Sequence, residues 1–159
     1  ETVVKHSSVF KLSREELFYF LFEEEAWERG LPPDFCSELL ESGPFKEKTQ
    51  IRLRLTRLGF SATWSVKIDR IVHGESVVLT QVIGPFEEWV LTQTLEDHGE
   101  KTTRLTDHLE YRMPLGLLGT LADDLYLKKE WHRLLDTRHE KIYQLLQQRG
   151  TLNAKAKDQ

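Results

Sequence analysis

Residues 81–119 read QVIGPFEEWVLTQTLEDHGEKTTRLTDHLEYRMPLGLLG. Two alternating segments lie inside this stretch, with His98-Gly99 between them. In 86–96, Trp89, Leu91 and Leu95 fall on one face; in 102–113, Leu105, Asp107, Leu109 and Tyr111 do. A period of two is the signature of a strand with one buried face. Two such runs around a His-Gly turn predict an antiparallel hairpin. Gly84-Pro85 breaks the chain ahead of it, and the same alternation continues upstream. Residues 76–83 are rich in β-branched side chains, and His73-Gly74 turns the chain. Residues 61–72 align Trp64, Val66 and Ile68, and residues 45–56 set Ile51, Leu53 and Leu55 opposite Arg52 and Arg54. Phe35–Glu41 is a weaker strand, ended by Ser42-Gly43-Pro44. The chain from Phe35 to Met113 therefore predicts an antiparallel meander of about six strands.

The flanks complete the pattern. Residues 2–12 have strand composition. Ser13 with Glu16 forms a Ser-x-x-Glu capping box, and Leu12 with Leu17 forms a hydrophobic staple for a short apolar helix. Glu23–Arg29 predicts a second short helix closed by Gly30, and Pro32-Pro33 cannot extend it. From Leu117 onward the pattern is helical, with Gly116 and Gly119 loosening its start. One apolar stripe (Leu118, Leu121, Ala122, Leu125) gives way to another (Trp131, Leu134, Leu135, Ile142, Leu145, Leu146), which predicts a kink near 126–130. This long helix is the one element large enough to cover the apolar face of the meander. The expectation is one α+β domain over 1–150 and a polar, frayed tail over 151–159.

The chain has 159 residues, the length of a single ordinary domain. Its net charge of −4 argues against binding nucleic acid through phosphate neutralisation. The single cysteine, Cys36, excludes an internal disulfide, lacks cationic neighbours in sequence, and reads as inert or buried. No run approaches the roughly 20 apolar residues of a membrane span, and no secretory signal is legible. A cytoplasmic setting without stable membrane insertion follows as the expectation. Among His6, His73, His98, His108, His132 and His139 no spacing reads as a metal site, and no cofactor is expected. His108 falls on the outer strand face, while His132 and His139 fall outside the second helical stripe.

Several of these residues carry a resemblance. The Pro32-Pro33 pair, Trp64 with Ile68, Gln81 with Gly84-Pro85-Phe86 and Trp89 recur in one order in a known superfamily. So do Thr103, Leu105, Asp107, Tyr111, Pro114, Gly116, Leu118-Gly119 and a last-helix Arg138. The pattern resembles the SRPBCC or START-related superfamily, in particular bacterial polyketide cyclase/dehydrase-like and coenzyme-Q-binding-like proteins. It covers nearly the whole chain and is specific over 81–119. One departure is Leu91, where the family usually has histidine. The resemblance implies a helix-grip fold, a curved antiparallel sheet of about seven strands around the C-terminal helix, with two short helices after the first strand. It also implies a cavity between sheet and helix.

Strand parity nominates the walls of that cavity. Trp64, Trp89, Leu91, Gln93, Asp107, Tyr111 and Gln81 share inner faces with apolar residues, and Leu135 belongs to the inner helix stripe. The polar members either orient a ligand or satisfy one another. Arg138 lies in the middle of the second apolar stripe, where an unpaired charge is costly. It either clamps an acidic or carbonyl group of a ligand or forms a structural ion pair with Asp107. Leu117, Leu118 and Leu121 are either a greasy rim at the cavity mouth or ordinary helix core.

Three functions fit the resemblance, because a fold does not fix function. The preferred one is binding, transport or sensing of a small hydrophobic molecule of lipid, isoprenoid, quinone or polyketide type. The second is a polyketide cyclase, aromatase or dehydratase-type enzyme using Asp107, Tyr111 and Arg138. Tyr111 and Asp107 are four residues apart on one strand, about 13 Å, too far for direct contact. The third is a protein-interaction domain with a collapsed cavity. A monomer or weak homodimer is expected.

Overall fold

A computed structural model describes residues 1–114, 121–150 and 157–158, without the side chains of 121–123 and 157–158. The elements are β1 (Thr2–Phe10), α1 (Arg14–Phe20), α2 (Glu24–Glu28), β2 (Phe35–Glu41), β3 (Gln50–Arg57), β4 (Phe60–Val72), β5 (Ser76–Ile83), β6 (Glu88–Asp97), β7 (Thr103–Arg112), α3 (Leu121–Gln148) and β8 (Lys157–Asp158). The sheet runs β2-β3-β4-β5-β6-β7-β1-β8, with all of its pairs antiparallel. The meander from β2 to β7 follows chain order, and β1 closes against β7. Of the expected frayed tail, only Lys157–Asp158 is described, and it pairs with Val9–Phe10.

Side-chain alternation builds the core. On β6 the inner residues are Trp89, Leu91, Gln93 and Leu95; on β7 they are Thr103, Leu105, Asp107, Leu109 and Tyr111, all buried. Cross-strand register sets Trp89 opposite Tyr111, Leu91 opposite Leu109 and Gln93 opposite Asp107. Register shifts at Leu39/Glu41, Ser65/Val66 and Ile68/Arg70 bend the strands, as β-bulges do, and help the sheet to curve. The β3–β4 hairpin turns on Leu58 and Gly59, both at positive φ (53° and 81°), as a two-residue type I′ loop requires.

Local signals at the helices act as the sequence implies. The Ser13 Oγ accepts from the Glu16 backbone N–H (3.3 Å) and donates to Glu16 Oε1 (2.9 Å), while Leu12 and Leu17 are buried together. The long helix differs from expectation. α3 runs unbroken from Leu121 to Gln148, so the change of stripe does not come from a break in the helix near 126–130. The change of stripe has another cause: Leu125 and Tyr126 face solvent, and burial begins with Leu135 and continues through Ile142, Leu145 and Leu146. Leu117 and Leu118 lie outside the described residues, as does the side chain of Leu121.

Candidate ligand cavity

A cavity of about 420 Å³ opens between the concave face of the sheet, α3, and the segment from α2 to β2. Its lining is dominated by aromatic and aliphatic side chains. All four tryptophans of the chain (Trp27, Trp64, Trp89 and Trp131) line it, together with Phe35, Phe60 and Phe86. Trp64 and Trp89 meet edge to face at 4.7 Å between ring centroids, and Trp131 on α3 lies 5.8 Å from Trp89 and from Phe86. Leu53, Leu79, Leu91, Leu134 and Leu135 supply the aliphatic wall. Leu91 adds to the apolar surface.

Gln81 holds this wall from behind. It accepts from Trp64 Nε1–H at 3.2 Å and donates to the Phe86 carbonyl at 2.8 Å. Gly84 passes so close that a Cβ there would come within 2.1 Å of Gln81 Oε1 and 2.6 Å of Trp64 Cδ1. The Gln-x-x-Gly-Pro-Phe run is therefore a turn folded onto its own glutamine, and it sets the angle of Trp64. Gln81 itself does not line the cavity.

Gln93, Asp107 and Tyr111 occupy inner strand faces, as parity implies, yet none of them lines the cavity. Gln93 and Asp107 belong to a wholly buried polar chain. Gln93 Nε2–H donates to Asp107 Oδ1 (3.1 Å), Asp107 Oδ2 meets His139 Nε2 (2.8 Å), and His139 Nδ1 meets Ser8 Oγ (2.8 Å). His139 is 0% exposed, which corrects its placement outside the buried stripe: it lies four residues after Leu135 and three before Ile142. Burial pushes the Asp107 carboxyl up, but the charge and hydrogen bond of His139, with help from Arg138 and Gln93, hold it below its ordinary value. The order Ser8–His139–Asp107 matches the residue types of a nucleophilic triad. A nucleophile must reach substrate, however, and Ser8 is 1% exposed and off the cavity. The chain ties β1, β6, β7 and α3 together.

Tyr111 packs edge to face on Phe86 at 5.4 Å, and burial pushes its hydroxyl up. Asp107 and Tyr111, the acid/base set of the cyclase reading, are thus both cut off from the cavity. Leu118 lies outside the described residues.

Arg138 does line the cavity, but it is not the direct partner of Asp107. Both carboxylate oxygens of Asp107 are taken by Gln93 and His139. Among the described residues Arg138 makes one hydrogen bond, a long 3.5 Å donation from Nη2 to the Leu21 carbonyl, and its guanidinium carbon stands 5.5 Å from the centroid of the Trp27 ring. Burial pulls its pKa down, and the charge of Asp107 pulls it back up. Arg57, the other basic residue of the wall, is already paired with Asp34 at 3.2 Å and stands over Phe35. Arg133 on α3 donates to both oxygens of Asp34, which holds that carboxyl below its usual range. Phe60, 82% exposed at the β3–β4 hairpin, marks the open side of the cavity.

Elsewhere, Cys36 is exposed on β2 rather than buried. His108 pairs with Glu110 at 2.8 Å on the outer face, and no metal-binding cluster occurs among the described residues. None of their helices is long and apolar enough to cross a membrane.

Comparison with known proteins turns on shape. The structure superposes on the ZhuI aromatase/cyclase of Streptomyces sp. R1128 with a TM-score of 0.72, at 15% identity over 93% of this chain and 94% of that one. This is the START-type helix-grip fold. A START superfamily protein of Mycobacterium smegmatis shares it (TM-score 0.63, 15% identity, 90% of this chain and 98% of that one). So does ginseng major latex-like protein 151 of Panax ginseng (TM-score 0.62, 14% identity, 89% of this chain and 94% of that one). No family model matches the sequence, and no curated protein matches it either. Within the helix-grip frame, the cavity lies between sheet and long helix, as the resemblance implies.

Trp64, Trp89, Leu91, Leu135 and Arg138 are the sequence-nominated residues brought together on the wall. Trp27, Leu31, Phe35, Phe86 and Trp131 join them without having been nominated as cavity residues. Of these, Trp131 carried a signal, its place in the inner helix stripe. Trp27 and Leu31 carried none, because the segment from α2 to β2 has no periodicity that points inward.

Proposed function

We propose that this protein binds a small hydrophobic molecule in the cavity between the sheet and α3, as a carrier or sensor rather than a catalyst. The observation that supports this is the composition of the wall. Apart from Arg57 and Arg138 it has no ionisable side chain: no Asp, Glu, His, Lys, Cys or Tyr lines it among the described residues. An apolar pocket with very few polar groups is what ligand binding needs, and a wall without a proton donor or acceptor near neutral pH is poorly suited to general acid/base chemistry. Nor is the interior filled, as a collapsed cavity would be. At about 30 Å³ per water in the liquid, 420 Å³ matches a ligand of on the order of fifteen non-hydrogen atoms. Lipid fragments, isoprenoids, quinone heads and polyketide-like rings fall in that range.

The test is titration with the neutral fluorophore N-phenyl-1-naphthylamine, followed by its emission and by tryptophan quenching. Saturable binding of one probe per chain, weakened at least tenfold in a Leu135→Trp variant of unchanged melting temperature, supports the reading. Absence of saturable binding, or binding indifferent to Leu135→Trp, overturns it.

A further inference from the structure

The cavity holds a charge to which no carboxylate of a described residue is directly bonded. Arg138, in the middle of α3, lines a largely aromatic and aliphatic enclosure, and its guanidinium carbon stands 5.5 Å from the centroid of the Trp27 ring. Among the described residues its five N–H donors meet one acceptor, the Leu21 carbonyl at 3.5 Å, which is the long limit of a useful hydrogen bond. No hydrogen bond joins its remaining nitrogens to a described residue, and Arg138 lines the cavity. The nearby carboxylate that attracts it, Asp107, has both oxygens engaged by His139 and Gln93. Among the described side chains no carboxylate lines the wall, and Arg57 forms a salt bridge with Asp34 at 3.2 Å. Burying a cation without a bonded counter-charge is unfavourable, and a bound anion would remove that penalty. A guanidinium offers a planar fork that fits the two oxygens of a carboxylate.

We propose that the ligand is a hydrophobic organic acid whose carboxylate seats on Arg138 while its apolar body lies among the tryptophans. This rests on the binding reading above and narrows it to one chemical class. Arg138 supplies orientation: the acid end enters toward α1 and α2, and the apolar end points toward Phe60 and the open side.

The experiment compares a matched pair of probes at pH 7, 1-naphthaleneacetic acid and 1-naphthaleneacetamide. The two have the same ring and nearly the same size and differ in charge. Displacement of N-phenyl-1-naphthylamine gives both affinities. The acid is expected to bind at least tenfold more tightly than the amide to the wild-type protein. Arg138→Leu is expected to bring the ratio to near one, and Arg138→Lys to leave an intermediate preference. Equal affinity of the wild type for acid and amide overturns the proposal while leaving the cavity reading intact, as does a preference that survives in Arg138→Leu. If the neutral fluorophore does not bind the wild type at all, both readings fall. The wild-type ratio alone decides the case if Arg138→Leu does not fold.

Discussion

His139→Leu is the substitution whose consequence the structure specifies most sharply. The imidazole is wholly buried and makes two 2.8 Å hydrogen bonds, to Asp107 Oδ2 and to Ser8 Oγ. Leucine has similar bulk and keeps the apolar contacts, so the loss is chiefly polar. It strands a buried carboxylate whose one remaining hydrogen bond is from Gln93. Leaving a buried carboxylate without its partner costs about 3–5 kcal/mol. For a domain of this size that is a drop of roughly 6–20 °C in melting temperature, at about 2–4 °C per kcal/mol. Asp107→Leu is expected to cost a comparable amount. The double variant removes both groups and leaves no stranded charge, so it is expected to be at least about 2 kcal/mol more stable than the two single losses predict by addition. Urea unfolding followed by circular dichroism at pH 7 measures all four corners of the cycle. A cost below about 1 kcal/mol for His139→Leu, or a cycle that closes additively, would refute the claim that this buried chain ties helix to sheet.

The pH dependence of the same site has a definite sign. The Asp107 carboxyl is held below its ordinary value of 3.8 in the folded protein, so its contribution is complete above that value and is lost as pH falls below it. The stability gap between wild type and Asp107→Asn should therefore close between about pH 5 and the acid limit, as equilibrium unfolding across pH will show; a gap independent of pH contradicts it. Gly84→Ala should force Gln81 away from Trp64 and the Phe86 carbonyl, lowering stability by about 1–3 kcal/mol and shifting tryptophan emission; unchanged emission and melting would count against this account of the turn. Ser13→Ala removes the acceptor of the Glu16 N–H at the start of α1 and should cost about 0.5–1 kcal/mol in a thermal melt, whereas Ser13→Asp should cost little.

Parity made most of the sheet legible. Alternation places Trp89, Leu91 and Leu95 inward on β6, and Leu105, Leu109 and Tyr111 inward on β7, where the structure has them. Parity says which face a residue takes; it does not say which part of the interior is open. Gln93 and Asp107 show the difference. They are cross-strand partners bonded to each other and buried against α3, so the same alternation that turns them inward keeps them off the cavity. His139 was hidden by its own polarity, since an apolar stripe read from hydrophobic residues skips a histidine that a buried carboxylate has paired. Leu125 misled the reading of α3, because an apolar stripe counts it as core while its side chain faces solvent. Arg138 was the reverse case. Its place in an apolar stripe flagged it, but only the structure shows that the oxygens of Asp107 are taken by Gln93 and His139.

The four tryptophans offer the most direct measurement of the central claim. All of them line the cavity, and each contributes one indole N–H resonance in a proton–nitrogen correlation spectrum. On addition of N-phenyl-1-naphthylamine, binding in the cavity predicts that all four indole resonances move together and stop moving at one equivalent. Four stationary indole resonances, with shifts confined to residues away from the cavity or with no saturation, would contradict it.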